Sequence, residues 1–339
     1  MDYSKQSLGN FAILSLLFAG ILYLYNWSST LTNPLFSPQK ESLCNPSNLT
    51  NIVDVPAIPV QDELDSVLAR ASMENRTVII TIVNKAYAVA DQDTKADTTM
   101  LDLFINSFWL GEDTRLKTDG VDFEREKIYM SQDFIKMMWT RTLFLIEILK
   151  RGYNFIFTDT DVMWLRNPFR RLSHNETEDL QISTDMYFGN PWSSENQLIN
   201  TGFYFVRSNN KTIALFERWY AKKDNSTGQK EQDVLLNLIK QGVIGQLGLR
   251  VRFLDTLYFS GFCQNSKDFR EVTTVHANCC RSITAKVADL KAVHRDWKRF
   301  KKYASYKRLS ALNLTANMQW TGHFGCWNSW KTPNNNSKA

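Results

Sequence analysis

The hydrophobic pattern divides the chain into an apolar head, a polar spacer and a long stretch of alternating elements. No charged side chain occurs between Gln6 and Gln39, and the run from Phe11 to Trp27 (FAILSLLFAGILYLYNW) is almost wholly apolar. A spanning helix needs about 17–25 such residues, and Tyr23, Tyr25 and Trp27 gather at one end, where amphipathic rings favour the water interface. The run exceeds a signal-peptide core and no small-x-small cleavage site follows it. The pattern therefore predicts an uncleaved signal-anchor over 10–27, with residues 1–9 as a cytoplasmic tail and the bulk of the chain lumenal. Residues 28–60 carry Pro34, Pro38, Pro46, Pro56 and Pro59 among Ser, Thr and Asn, the composition of a stem.

Ordered patterning begins near Glu63. Apolar residues recur at helical spacing to Met73, and Thr77 to Val83 (TVIITIV) is a β-branched run that reads as a buried strand. Ser131 to Arg151 reads as a long helix, with Ser131 as N-cap, Lys150 and Arg151 in the last turn and Gly152 just beyond it. Strands follow at Asn154–Thr158, Gly202–Arg207 and Val251–Leu254, and helices at Thr212–Lys222 and Gln232–Gln241. This alternation predicts an α/β domain over 61–330 with a mainly parallel sheet flanked by helices, and a flexible tail over 331–339. No internal repeat is visible.

Composition narrows the class. A chain of 339 residues with 43% hydrophobic and 13% aromatic content is neither disordered nor collagen-like. Its net charge of +5 is thin and spread out, which predicts no nucleic-acid partner. The densest basic run, Lys298 to Lys307, reads as a solvated helix face. Five cysteines are too few for a disulfide framework. In an oxidising lumen Cys263, Cys279, Cys280 and Cys326 can form one or two bridges, though adjacent Cys279 and Cys280 are poor partners for each other. Eight Asn-x-Ser/Thr sequons, at Asn26, Asn48, Asn75, Asn175, Asn210, Asn225, Asn313 and Asn335, agree with lumenal residence.

The stretch Phe155 to Phe169 (FIFTDTDVMWLRNPF) carries the chemistry. An apolar strand ends, and carboxylates follow at Asp159 and Asp161. Side chains two apart share a face of an extended strand only while it runs straight; where the backbone turns at the strand's end, both carboxylates can reach one ligand. The C-terminal edge of a sheet is where α/β folds bind ligands. Two such carboxylates suit a hard cation, Mn²⁺ or Mg²⁺, with diphosphate oxygens completing its shell. The bland alternative is a pair of aspartates capping a turn.

The run GYNFIFTDTDVMWLRNPF resembles the nucleotide-sugar-binding signature of plant glycosyltransferase family 77. Further runs resemble that family in the same order: TVIITIVNKAYA, FIKMMWTRTLFL, NTGFYFVRSNNKTI, EQDVLLNLIK, GLRVRFLDTLYFSGFC and VHANCCRSITAKVADL. The resemblance covers most of residues 60–300. It implies a GT-A-like fold, a nucleotide-diphosphate donor, a divalent metal and a retaining transfer of a pentose or hexose to a cell-wall polysaccharide or glycoprotein. It also implies a Golgi enzyme of type II topology. The family pattern has a further strand and a Cys- and His-containing loop after the segment matched by LDLFINSFWLGEDTR, whereas here Thr114 runs almost directly into Leu116. One sheet strand is therefore expected to be absent, and the family's Asp is replaced by Glu231.

Resemblance and chemistry together assign roles. Asp161 is expected to bind the metal directly, with Asp159 shared between the metal and the ribose of the donor. His276 is the third ligand, with His323 its rival. Glu231, Gln232 and Asp233 open a helix, where acidic residues favour the dipole; Gln232 or Asp233 is expected beside the anomeric carbon as the catalytic group. Asn200, Thr201 and Gly202 would meet the donor sugar, since glycine permits close backbone approach. Lys136 or Arg141 would meet the diphosphate, and Thr81, Val83 and Asn84 the nucleoside. The tryptophans and Met137-Met138 read as core. Two rival functions stand beside the transferase. One is a phosphatase of the haloacid-dehalogenase kind with Asp159 as nucleophile, although its later GDxxxD motif is missing; the other is a non-catalytic splice form or paralogue.

Overall fold

The computed structural model describes residues 62–83, 85–88, 98–114, 132–194, 196–305 and 318–331. The expected anchor (10–27), the stem (28–60), Asn84, Ser131 and the tail beyond Lys331 lie outside the described residues. No helix among the described residues is long and apolar enough to cross a membrane.

The chain enters through α1 (Glu63–Ala71), capped by the Asp62 carboxylate on the Asp65 amide. It continues through β1 (Thr77–Ile80), α2 (Lys85–Ala88), α3 (Met100–Leu110) and α4 (Gln132–Lys150). Gly152, at φ +76°, ends α4 where expected. Next come β2 (Asn154–Thr158), β3 (Val162–Trp164), β4 (Leu180–Met186) and β5 (Leu198–Val206). After α5 (Asn210–Tyr220), α6 (Glu231–Lys240) and α7 (Val243–Gln246) follow β6 (Val251–Phe253), β7 (Phe259–Gly261) and β8 (Thr274–His276). The described chain ends with α8 (Ile283–Ala304) and α9 (Phe324–Asn328). The basic residues Lys298, Arg299 and Lys302 are exposed on the last turns of α8.

Five strands form one sheet in the order β1-β2-β5-β4-β6, and β3, β8 and β7 form a second. The expectation of a mainly parallel sheet is corrected here. β1 pairs parallel with β2 and β4 with β6, but β5 runs antiparallel to both β2 and β4. The physical reason is that burial on both faces removes the polar alternation that marks an ordinary antiparallel strand; every β5 residue after Leu198 is buried. The strand also begins at Leu198, four residues before the expected Gly202. Among the described residues β1 lies at the sheet's edge with β2 as its neighbour. Whatever the expected loss of a segment after Thr114, the strand order of the described residues shows no break between β1 and β6.

Alternation along β2 builds two cores. Phe155 and Phe157 pack with Tyr204, Phe216, Leu145 and Leu149 under α4 and α5. Ile156 faces the other way, into Phe104, Trp164, Phe203 and Phe205 beneath α3. Trp164, Trp219 and Trp297 are fully buried, in keeping with a core role. Trp109, Trp192, Trp327 and Trp330 are exposed instead. Met137 and Met138 are half-buried.

Two disulfides, Cys263–Cys279 and Cys280–Cys326, staple the region after β8. The second closes a separation of 46 residues and ties α9 to the start of α8. Asp289 of α8 accepts from the Gly325 and Cys326 amides at the same junction. Cys326→Ser is expected to lower unfolding free energy by about 2–4 kcal/mol, to be checked by denaturant titration under non-reducing conditions.

Candidate functional site

The site is made where the two sheets meet. The Asp159 amide donates to the Gly202 carbonyl at 2.7 Å, which carries the β2–β5 ladder one residue past Thr158. The chain then turns: the Val162 amide donates to the Asp159 carbonyl, and β3 leaves to pair antiparallel with β8, Val162 opposite His276. The Ala277 amide donates to the Asp161 carbonyl at 3.0 Å. Two aspartates of one turn and a histidine 115 positions later in the chain are thereby brought together. Ligand atoms of Asp159, Asp161 and His276 all lie within 4.8 Å of one another.

Gly202 permits the convergence. A Cβ at this position would fall 2.9 Å from Asn200 Oδ1 and from Asp159 Oδ2, and closer still to His276 Cε1. The side chains occupy the volume that any other residue would fill. Gly202→Ala is therefore expected to cost about 1–3 kcal/mol and to force Asp159 and His276 apart, read as a fall in melting temperature together with weakened Mn²⁺ binding.

The electrostatics are a mesh of alternating charges. Asp161 is 4% exposed; its Oδ2 accepts from Lys286 Nζ at 2.6 Å, and its Oδ1 lies 3.2 Å from His276 Nε2. Burial would push this carboxyl up, but Lys286 and His276 outweigh it and hold Asp161 well below the usual carboxylate range. Burial, opposed by Arg141 and reinforced by the charge on Asp161, pushes Asp159 up. Burial would lower His276, yet the Asp161 charge and hydrogen bond raise it. Arg141 sits behind this group, 3.3 Å from Asp159 Oδ1 and 2.6 Å from Glu231 Oε1. Its side chain is 2% exposed and that of Glu231 is 5% exposed.

A second layer of hydrogen bonds joins α6 to β5. Thr201 Oγ1 donates to Glu231 Oε1, and the Thr201 amide donates to Gln232 Oε1, both at 3.0 Å. Asp185, at the end of β4, accepts from Asn200 Nδ2 and Asn278 Nδ2, each at 2.7 Å.

The expected residues are distributed as follows. Asp159, Asp161 and His276 form a group that could hold a metal ion. His323 stands apart, stacked on Phe262 with its Nε2 3.0 Å from Asn265 Oδ1. Asn200, Thr201 and Gly202 line the floor beside it, and Gln232 reaches them from α6. Asp233 is half-buried one residue further on. Arg141 is buried with its guanidinium turned toward Asp159 and Glu231, whereas Lys136, on the same helix, is exposed. Thr81 and Val83 are half-buried just past β1, and Thr81 Oγ1 is buried without a hydrogen-bond partner. Lys286, Asp185 and Asn278 were not singled out from the sequence. Lys286 comes ten residues after His276, one turn into α8, where the only sequence signal is a basic residue behind a Ser282 cap.

The three groups could hold a divalent cation. Octahedral coordination at about 2.0–2.1 Å places neighbouring ligand atoms roughly 2.9 Å apart; His276 and Asp161 already lie 3.2 Å apart. Two carboxylates with an imidazole match the preferences of Mn²⁺.

Residues 89–290 match the family model described as nucleotide-diphospho-sugar transferase. The chain belongs to that family. Its members include relatives with stated activities and others without. The uncharacterised protein At1g28695 of Arabidopsis thaliana is 46% identical over 353 positions, covering 95% of each chain. That alignment is longer than the 339 residues here, so the relative carries positions with no counterpart in this chain. The UDP-galactose:fucoside α-3-galactosyltransferase of Dictyostelium discoideum is 31% identical over 98 residues, 29% of this chain and 15% of that protein. The β-arabinofuranosyltransferase RAY1 of Arabidopsis thaliana is 31% identical over 140 residues, 38% of this chain and 26% of that protein. Membership of this glycosyltransferase family, similar to family 77, displaces the phosphatase reading of Asp159.

The Arg141–Glu231 pair is buried, with side chains 2% and 5% exposed, so breaking it is costly. Arg141→Met leaves Glu231 buried without a counter-charge and is expected to cost about 3–5 kcal/mol, measurable as a shift in denaturant midpoint.

Proposed function

We propose that this protein is a metal-dependent, retaining glycosyltransferase. It moves a pentose or hexose from a nucleotide-diphosphate donor to a cell-wall polysaccharide or glycoprotein acceptor. The observation that carries the reading is the meeting of Asp159, Asp161 and His276 around Gly202, in a chain of the nucleotide-diphospho-sugar transferase family. The named activities of the two relatives matched over shorter stretches support a nucleotide-sugar donor and a glycan acceptor.

In this reading Asp161, Asp159 and His276 hold Mn²⁺ or Mg²⁺. When bound, the ion supplies neutralisation of charge on the departing nucleoside diphosphate. Lys286, already paired with Asp161, adds a fixed cation on the same side. Arg141 fixes the orientation of Asp159 and keeps its carboxylate aimed past Gly202. Gln232 is held by the Thr201 amide, and with Asp233 it faces the sugar. An acceptor hydroxyl forms the new bond to the anomeric carbon on the face from which the phosphate oxygen leaves. The anomeric bond to that oxygen breaks, the hydroxyl proton passes to the phosphate, and configuration is kept.

Residence in the Golgi lumen, as a type II membrane protein anchored by residues 10–27, belongs to the same proposal. Two disulfides suit an oxidising compartment. The four sequon asparagines among the described residues, Asn75, Asn175, Asn210 and Asn225, are all exposed. Imaging a tagged full-length chain against Golgi markers, with glycosidase mobility shifts, tests this part.

The chemistry is tested by incubating the purified lumenal part, residues 61–339, with a panel of UDP- and GDP-sugars and Mn²⁺. Donor hydrolysis or transfer is expected to vanish in EDTA and to fall by at least about a hundredfold in Asp161→Ala. Undiminished rates in either arm refute the metal role. Absence of turnover with every donor would favour the non-catalytic reading.

A further inference from the structure

Asp185 is the acidic group of the site that the chemistry above does not use, and its surroundings are unusually specific. Three side-chain amides from three different elements aim at it. Asn200 Nδ2 from β5 and Asn278 Nδ2 from the segment after β8 both donate to Oδ1 at 2.7 Å. Gln232 Nε2 from α6 lies 3.5 Å from Oδ2, at the limit of a hydrogen bond.

Each amide is fixed in that orientation by a backbone N–H on its oxygen. The Gly202 amide donates to Asn200 Oδ1 at 2.7 Å, the Cys263 amide to Asn278 Oδ1 at 3.0 Å, and the Thr201 amide to Gln232 Oε1 at 3.0 Å. An amide oxygen held by a donor turns its NH₂ to the opposite side, so all three present N–H groups to Asp185. Glycines make the room. A Cβ at Gly261 would lie within 2.8 Å of three atoms of the Asn278 amide, just as one at Gly202 would strike Asn200. Asn200, Asn278 and His276 line one small cavity together with Val162, Phe203 and Phe259.

The charge balance distinguishes Asp185 from its neighbours. Asp161 has Lys286, and Asp159 and Glu231 share Arg141. Among the described residues no cation pairs with Asp185; its partners are neutral amides. One oxygen is saturated by two strong donors, and the other has only the long Gln232 contact. Asp185 is half-buried, and its Oδ2 can still accept strong hydrogen bonds.

We propose that Asp185 receives a hydroxyl group of the transferred sugar, and that its charge, met only by neutral amides among the described residues, restricts the donor to neutral sugars, excluding uronic acids. This inference rests on the transferase reading, and it adds the chemical class of the sugar. Neutral hydroxyls donate to a carboxylate, whereas the carboxylate of a uronic acid beside Asp185 meets like charge in a site of low polarisability.

The test separates sugar from nucleotide. Calorimetric titration of residues 61–339 with UDP, UDP-xylose, UDP-galactose and UDP-glucuronate, each with Mn²⁺, gives the affinity that each sugar adds to UDP. In the native chain a neutral sugar is expected to add affinity and glucuronate to add none. In Asp185→Asn, UDP affinity is expected to be unchanged, which also shows that the variant folds. The increment from the neutral sugar should fall roughly tenfold or more, and glucuronate should bind better than before. Asn278→Ala should reduce the increment in the same direction by a smaller factor. An unchanged increment in Asp185→Asn with intact UDP binding overturns this inference and leaves the transferase reading standing. Failure of the native chain to bind either UDP or GDP in the presence of Mn²⁺ overturns both.

Discussion

The geometry of the site depends on one close approach, the passage of the β5 backbone at Gly202 beneath the turn that follows β2. The Asp159 amide bonds to the Gly202 carbonyl, so the aspartate turn is registered against β5 by the sheet ladder itself. Because Gly202 has no side chain, Asn200, Asp159 and His276 share the space above it. Position in a ladder is set by many cooperating hydrogen bonds and by packing on both faces. The chemistry-bearing groups therefore inherit the rigidity of the most buried part of the protein rather than that of a loop. Phe155, Phe157, Tyr204 and Val206 flank the crossing within the core, which explains why the turn can carry two carboxylates without collapsing.

The second sheet supplies what the first cannot. β3 leaves the turn and pairs with β8, so that the residues after β8 fold back over the site. His276, Asn278 and, on the following helix, Lys286 all come from this return. Its course is fixed covalently by Cys263–Cys279 and Cys280–Cys326. Two bridges placed at consecutive cysteines pull in different directions, one to the strand β7 side and one to α9. This restrains the backbone between His276 and Ser282 more than either alone. A region that must hold His276 and the Asn278 amide within a few ångström of groups on another sheet gains from such restraint, because small displacements at a site carry large penalties.

The sequence made the strand–turn–carboxylate core of the site legible for a simple reason. A buried strand that ends in Asp-x-Asp places both groups at a sheet edge whatever the rest of the chain does. The helices α4, α5 and α6 were visible through amphipathic spacing and terminal signals. What was not legible depended on pairing between distant strands. The antiparallel course of β5 leaves no trace in a strand that is apolar on both faces. β4, β7 and the length of α8 were missed, since their patterns are short or charged. Asp185, Asn278 and Lys286 became site residues only through the β4–β5 ladder, the β7–β8 ladder and the packing of α8. A lone Asp at the end of an unrecognised strand, or a lone Lys in a charged helix, gives no local signal of its destination. Arg141 shows the opposite case: its place on α4 was read, but its burial against Glu231 needs α6 to be docked.

That buried pair also explains how the site tolerates its crowd of acids. Asp159, Glu231 and Asp185 are linked through Arg141, Thr201 and Gln232, with Asp161 beside Asp159, and like charges so close would repel strongly in a medium of low polarisability. The network divides them among different partners. Arg141 takes Glu231 and Asp159, Lys286 and His276 take Asp161, and neutral amides hold Asp185. The Glu231 side chain spans from the first turn of α6 to Arg141 while Thr201 donates to the same oxygen. The division of charge leaves Asp159 the least compensated of the metal-ligating carboxylates, sharing its single cation with a deeper rival. The Asp159 side chain is 37% exposed against 5% for Glu231, so the uncompensated part of the charge lies toward solvent.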